Sequence, residues 1–450
     1  IGFSINNSIK TIQQIENNYD VNSVLCNNLQ VWDFLRYGVF FEIEKIYFGL
    51  QNKSRKKNYW NIMYNKIWQN GCIKNNEFML FTDINEQRIV NNYMIDKLGD
   101  NLIKTFAPNF LTIINTIDNK MVGNYNYNAI SANRFSSVAS KKNYVENISV
   151  LYKIKNNEID IEFISLINTF FSIYHRATKF FKKNKVKTIF VNCFYSLFHQ
   201  AIIYAAKTCN IVVIEIQHGV ISPYQYYYNP SYQGNKKLLP DYLLAHNTYV
   251  SSHINSYYMK ADKVIPFGNY YLEYKMDSEK QLLNIDFLGR FKKIVLVSHQ
   301  ESVEKKLFEI ISQIAVNNED MCFVISMRNK KKSIYKTNLQ KNIIILNNVD
   351  IYDLILISDL HLSIYSTLIL ETLYAGVPNI LLNINGLSKK YFSKILQPSN
   401  GVWYEDDINK IMALIKKWPF DKKNIIQEQY NFLFLNNQKK HLKSLLNMIL

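Results

Sequence analysis

Short β-branched runs alternate with helix-length amphipathic segments through the second half of the chain, which is the pattern of a doubly wound parallel sheet. Lys293 to Ser298 is the first predicted strand, followed by a helix near Ser302 to Val316. Cys322 to Met327 and Ile343 to Leu346 read as the second and third strands, with a short helix from Ile351 to Leu356 after them. Leu360 to Ile364, Asn379 to Ile384 and Val402 to Tyr404 complete the strands. Thr367 to Ala375 and Ile408 to Lys417 are the helices that go with them.

Upstream, a strand at Lys187 to Asn192, a helix at Leu197 to Thr208 and a strand at Ile211 to Ile216 predict another βαβ unit, and so a second Rossmann-like half. Pro266 and Gly268 in the KVIPFG segment mark the crossover between halves, giving units 1–268 and 269–450. Phe78 to Asp83 reads as a strand and Ile161 to Lys182 as a long helix, while Ile1 to Trp60 reads as mostly helical with no sheet order. The expected class is therefore α/β, with two Rossmann-like domains.

Composition supports two large folded units: 450 residues, 48% hydrophobic and 20% charged, supply enough apolar material for real cores. The abundance of Asn, Lys, Ile and Tyr matches an AT-rich coding bias, so Asn-rich patches carry no functional weight. Fifty-three Lys and Arg against 36 Asp and Glu give a net charge of +17, which favours an anionic membrane face or a phosphorylated lipid. Nucleic acid is not expected, because the lysines are scattered or in short runs such as Lys330-Lys331-Lys332 without a nucleic-acid-binding signature. Lysine as plain solvated surface is the competing reading. Cys26, Cys72, Cys193, Cys209 and Cys322 are dispersed, which predicts neither a disulfide framework nor a zinc site. With no long uncharged apolar run and no apolar core in Ile1 to Lys10, the expected location is the cytoplasm, peripheral on the inner face of the plasma membrane.

The densest candidate chemistry is SIYSTLILETLYAGVP, Ser363 to Pro378, where a strand meets a helix. Ser366 and Thr367 stand where that helix begins, so their hydroxyls and the free backbone N–H groups can receive phosphate oxygens. Glu371, one turn on, can accept bonds from ribose hydroxyls. The plainer reading makes Ser366 an ordinary cap and Glu371 a solvated helix residue; the position at the carboxyl end of a strand favours a ligand. Ser298 and His299, after the first strand, and Arg328, after the second, are candidates to complete the pocket. A helix cap and a surface charge are their plainer roles.

A second constellation is Val212 to Pro230, in which a buried strand runs straight into Gln217-His218-Gly219. There Gly219 permits a sharp turn and directs His218 outward as a candidate general base. A histidine bonded to a tight turn, or one binding phosphate as a cation, competes with that role. Gln217, Tyr224 and Tyr226 are candidate acceptor contacts, the tyrosines because aromatic faces suit sugar C–H surfaces. Ordinary packing competes for these in a chain with 32 tyrosines.

The run Ser366-Thr367, Glu371, Ala375-Gly376-Val377-Pro378 resembles the donor-site helix of GT-B glycosyltransferases. The resemblance implies two Rossmann-like domains facing a cleft, with the nucleotide-sugar donor on the C-terminal domain and the acceptor on the N-terminal one. Common retaining enzymes of this type carry a second Glu upstream; Ser363 alone occupies that stretch here, which points to inversion. EIQHG, PDYLLAHN and VIPFGN resemble bacterial glycosyltransferases that build capsule, O-antigen and lipooligosaccharide, and VWDFLR and FTDINEQR look like degenerate segments of that group. That resemblance implies a CMP-, UDP- or dTDP-linked sugar as co-substrate, a glycan or glycolipid acceptor, and neither a resident cofactor nor a metal. A polyol-phosphate or sugar-phosphate transferase, a nucleotide-sugar 2-epimerase and a non-catalytic nucleotide-sugar-binding subunit are the competing functions.

Overall fold

The computed structural model describes residues 5–47, 76–83, 86–90, 93–115, 128–132, 135, 143–277, 288–300, 303–326, 340–346, 349–399, 401–417, 423–436 and 442. The chain divides into two compact units, with the junction between Gly268 and Asn269. Leu442 is buried with Leu80, Leu102 and Phe190, so the end of the chain returns to the first unit and the second does not run to 450.

The first unit is built on a seven-stranded sheet. Its strands are β1 (Phe78–Asp83), β2 (Phe110–Asn115), β3 (Ala129–Ser131), β4 (Thr188–Val191), β5 (Val212–Ile216), β6 (Tyr242–Ala245) and β7 (Val264–Pro266). Their order is β7-β6-β5-β4-β1-β2-β3, and every pairing is parallel. The strands are nearly continuous apolar runs because both faces of a parallel sheet are covered. β4 is buried at all four positions, and Leu80 in β1 sits between Thr112 and Phe190. Two of these strands, β2 and β3, lie where no strand is predicted from the sequence. VIP, expected to be the crossover, pairs as β7 with β6, Leu243 opposite Val264.

Helices cover the sheet through apolar stripes at helical spacing. Phe163–Lys183 buries Phe163, Ile167, Phe170, Phe171, Ala177 and Phe181, and ends in Lys182 and Lys183, which suit the negative end of its dipole. Trp32–Tyr47 packs onto it, with Phe34 stacked on Phe170 at 3.9 Å between ring centres. Leu197–Thr208 starts at Ser196, whose hydroxyl caps the backbone N–H of His199 at 3.1 Å.

The second unit carries β8 (Lys293–Ser298), β9 (Met321–Ser326), β10 (Ile343–Leu346), β11 (Leu360–Ser363), β12 (Asn379–Leu382) and β13 (Val402–Glu405). The order is β10-β9-β8-β11-β12-β13, again parallel throughout. Both sheets therefore wind the same way. The second and third strands run outward from the first, and the fourth returns to pair on its other side, which is the doubly wound dinucleotide-binding order. The return creates a switch point, between β8 and β11 here and between β1 and β4 in the first unit, and loops diverge there to leave a ligand crevice.

A buried polar chain ties the second sheet together at that point. His361 Nδ1 lies 2.5 Å from Asn379 Oδ1, and His361 Nε2 lies 2.6 Å from the Ser298 hydroxyl. Burial pushes His361 down to about 4, so the ring is neutral: Nδ1–H donates to Asn379 and Nε2 accepts from Ser298. The helix Leu368–Tyr374 is buried on every side and ends at Gly376, where φ is +81°. A Cβ there would stand 2.6 Å from the Lys423 carbonyl oxygen, so glycine is required twice over.

Candidate functional site

In the second unit the switch point lies at the ends of β8 and β11, and the helix Leu368–Tyr374 follows β11. Ser366 is buried, and its hydroxyl accepts from the Leu368 N–H at 3.3 Å, so it does serve as a cap. Thr367 is half-exposed at the N-cap position and makes no side-chain capping bond. Glu371 is only 8% exposed, which removes the solvated-helix reading. Its Oε1 accepts from the Tyr352 hydroxyl at 2.7 Å and from Asn269 Nδ2 at 3.3 Å.

The donors that hold Glu371 are themselves held. Tyr352 opens the helix Ile351–Ile357, which Asp350 caps at 3.1 Å. Asp350 also accepts from the Tyr271 hydroxyl at 2.5 Å and meets Lys275 Nζ at 3.2 Å. Glu371 is thus a buried, oriented carboxylate on the helix that follows β11. Ser298 and His299 stand at the same sheet edge, but both are engaged. Ser298 gives its proton to His361, and His299 Nε2 lies 3.1 Å from Glu304 Oε1. Arg328 lies outside the described residues.

In the first unit, β5 runs into Gln217 and His218. His218 is half-buried, with Nε2 3.3 Å from the Tyr195 hydroxyl and a buried Nδ1 that has no protein hydrogen-bond partner. Burial lowers its pKa, while the negative charge of Glu86 acts in the opposite sense. The ring is accordingly neutral near pH 7 and can take up a proton. Glu86 pairs with Lys97 at 2.9 Å, and although burial opposes it, the charges of Lys97 and His218 hold its carboxyl below the usual value. His199, with Nδ1 2.8 Å from the Ser196 hydroxyl, and His246, pushed down to about 3 by burial, lie within electrostatic reach of His218. Three neutral imidazoles and the Glu86 carboxylate thus share the C-terminal edge of this sheet.

Two of the expected acceptor contacts are corrected by their surroundings. Gln217 is buried with both ends of its amide engaged by backbone: Nε2 donates to the Gly219 carbonyl and Oε1 accepts from the His246 N–H, each at 2.7 Å. It clamps the β5 turn to β6 and, at 2% exposure, presents no face to a sugar. Tyr226 is 2% exposed, stacks on Phe40 at 4.3 Å and donates to Glu16 at 3.3 Å, so it belongs to the core. Tyr224 is half-exposed on the same loop.

Glu215 is the group that sequence reasoning left without a role. It is fully buried, and accepts from the Tyr228 hydroxyl at 3.0 Å, the Phe194 N–H at 3.4 Å and the Tyr258 hydroxyl. Desolvation raises it to about 7 against those bonds. Its signal was a lone carboxylate inside the apolar strand VVIEI. Within FTDINEQR, Thr82 and Gln87 likewise prove to be scaffolding, while Glu86 reaches the His218 edge. Thr82 and Gln87 donate to Asp96 at 2.8 and 2.6 Å, and the Leu98 and Gly99 N–H groups complete its shell.

No model of a known protein family matches the sequence, and no curated protein does. Solved structures do match, at low identity. A UDP-GlcNAc 2-epimerase from Neisseria meningitidis, bound to UDP-GlcNAc, is 15% identical with a TM-score of 0.54, over 82% of this chain and 99% of that one. The glycotransferase of kitacinnamycin is 9% identical with a TM-score of 0.51, over 80% of this chain and 96% of that one. The wall teichoic acid polymerase TagF with CDPG is 12% identical with a TM-score of 0.51, over 92% of this chain and 97% of that one. Together with the two parallel sheets, these likenesses establish the two-Rossmann-domain GT-B fold. Among the described residues no helix is long and apolar enough to cross a membrane.

Proposed function

We propose that the chain is an inverting glycosyltransferase, moving a sugar from a CMP-, UDP- or dTDP-linked donor to a hydroxyl of a surface-glycan or glycolipid acceptor. The observation that carries this reading is Glu371, buried and fixed by Tyr352 and Asn269 on the helix that follows β11. In this account Glu371 accepts from the donor's ribose hydroxyls, and the Thr367 hydroxyl, which makes no capping bond, receives the phosphate. His218 takes the acceptor's proton as the acceptor oxygen bonds to the anomeric carbon and the bond to the leaving phosphate breaks. Tyr195 orients the ring, and the negative charge of Glu86 favours the imidazolium that results. No resident cofactor takes part. The work is placed in the cytoplasm, at the inner face of the plasma membrane.

The test is product analysis. The full chain is incubated with sugars linked to CMP, UDP, dTDP, GDP and CDP and with lipid-linked and free glycan acceptors, and the products are read by mass spectrometry and NMR. The expected product is a glycoside of inverted anomeric configuration with one nucleotide released per bond. Phosphate retained in the product would assign polyol-phosphate or sugar-phosphate transfer instead. A free epimerised sugar formed without acceptor would assign epimerisation, and nucleotide binding without turnover across the panel would assign a binding subunit.

A further inference from the structure

A cavity of about 240 Å³ opens in the first unit, between the helices Trp32–Tyr47 and Leu197–Thr208. Phe34, Tyr37, Leu166, Leu197 and Tyr227 make its walls apolar. Gly38, in the middle of the first of those helices, also lines it, and a Cβ at Gly38 would meet nothing within 4 Å. A glycine inside a helix is unfavourable relative to alanine, so this one leaves open space at a cost to the helix. Phe41, which borders the cavity, is 51% exposed. Lys45 Nζ lies 4.5 Å from the centre of the Phe41 ring, whose apolar edge extends the surface a hydrocarbon entering the cavity would bury.

The cavity also adjoins the proposed base. Tyr195 and Ser196 both line it. The Tyr195 ring stacks on Tyr227 at 4.1 Å while its hydroxyl meets His218 Nε2 at 3.3 Å, and the Ser196 hydroxyl meets His199 Nδ1 at 2.8 Å. A molecule seated here is one side chain away from His218. A sugar would lose its hydrogen bonds to water on entering such walls, whereas a hydrocarbon chain gains from them.

We infer that this cavity holds the hydrocarbon chain of a lipid-linked acceptor, anchoring it so that its hydroxyl end reaches His218. The inference rests on the transferase reading only for the identity of the molecule that brings the chain. Binding is tested without donor, by titrating the full protein with n-alkyl β-glucosides from hexyl to decyl below their micelle concentrations. Affinity is expected to rise about fourfold per added methylene until the cavity is full. Gly38→Trp fills the space from an open position and should abolish that dependence, while Gly38→Ala should keep it. An affinity independent of chain length, or an undiminished dependence in Gly38→Trp, overturns the inference. The wild-type series decides alone if the tryptophan variant does not fold. Chain-length dependence without transfer to any acceptor leaves the cavity's role standing and removes the transferase reading; transfer with no chain-length dependence does the reverse.

Discussion

Replacing Glu215 by glutamine should stabilise the protein at high pH and leave it nearly unchanged at low pH. Glu215 is fully buried, and desolvation raises its carboxyl from 4.5 to about 7 despite the Tyr228, Tyr258 and Phe194 donors. The folded state thus binds the proton more tightly than the unfolded chain does. The stability tied to that proton is present in full below 4.5 and is lost as the pH rises through 7. Above both values the buried charge costs the fold about 3 kcal/mol, taking 1.36 kcal/mol per pH unit of displacement. Glutamine has nearly the same shape, carries no charge at any pH, and can still accept from one tyrosine while donating to the other. Urea denaturation of the full chain at about pH 5 and pH 8 measures the difference. The variant should gain on the wild type between the two, by about 2–3 kcal/mol. A stability difference that does not change with pH, or that turns against the variant at pH 8, would refute the claim that Glu215 is held as an acid by burial.

Gly376→Ala should destabilise the second unit by about 2 kcal/mol or more, because alanine pays the left-handed backbone penalty and its methyl meets the Lys423 carbonyl at 2.6 Å; urea denaturation checks it. If the net charge of +17 attracts the chain to membranes, it should sediment with anionic vesicles at low salt, and the bound fraction should fall as ionic strength rises. Salt-independent or absent sedimentation would remove the membrane face from the account. Tyr352→Phe deletes one donor to Glu371 and should weaken nucleotide binding several-fold by isothermal titration, with little effect on alkyl glucoside binding in the other unit.

The second unit was legible because its strands are apolar runs of ordinary length separated by helices of ordinary length; Lys293–Ser298 and Ile343–Leu346 match their predicted spans. The first unit resisted for a physical reason. Ala129–Ser131 is three residues long, too short to show any period, and the helix Trp32–Tyr47 buries Asp33 and Arg36 along with its apolar residues, which blurs its stripe. At the site, Glu371 stands out in the sequence as a carboxylate just after a strand–helix junction, and its burial is what folding adds. Gln217 and Tyr226 could not be read, since a polar residue after a strand and a tyrosine in a run of tyrosines look the same whether they face a ligand or the interior. Their partners, the His246 N–H and Glu16, come from distant parts of the chain and only folding brings them together. The same holds for Tyr195, whose link to His218 nothing in its local sequence signals.

The central claim is a division of labour, with Glu371 binding the nucleotide and His218 moving the proton. It is tested most directly by measuring nucleotide affinity and turnover side by side for His218→Ala and Glu371→Ala, using the donor that binds the wild type best. The account predicts that His218→Ala binds the nucleotide as the wild type does while turnover falls by about 10²–10⁴-fold. Glu371→Ala should instead lose about tenfold or more in nucleotide affinity, the value of charged hydrogen bonds to a ribose. A double variant that binds and turns over like the wild type would contradict the account outright.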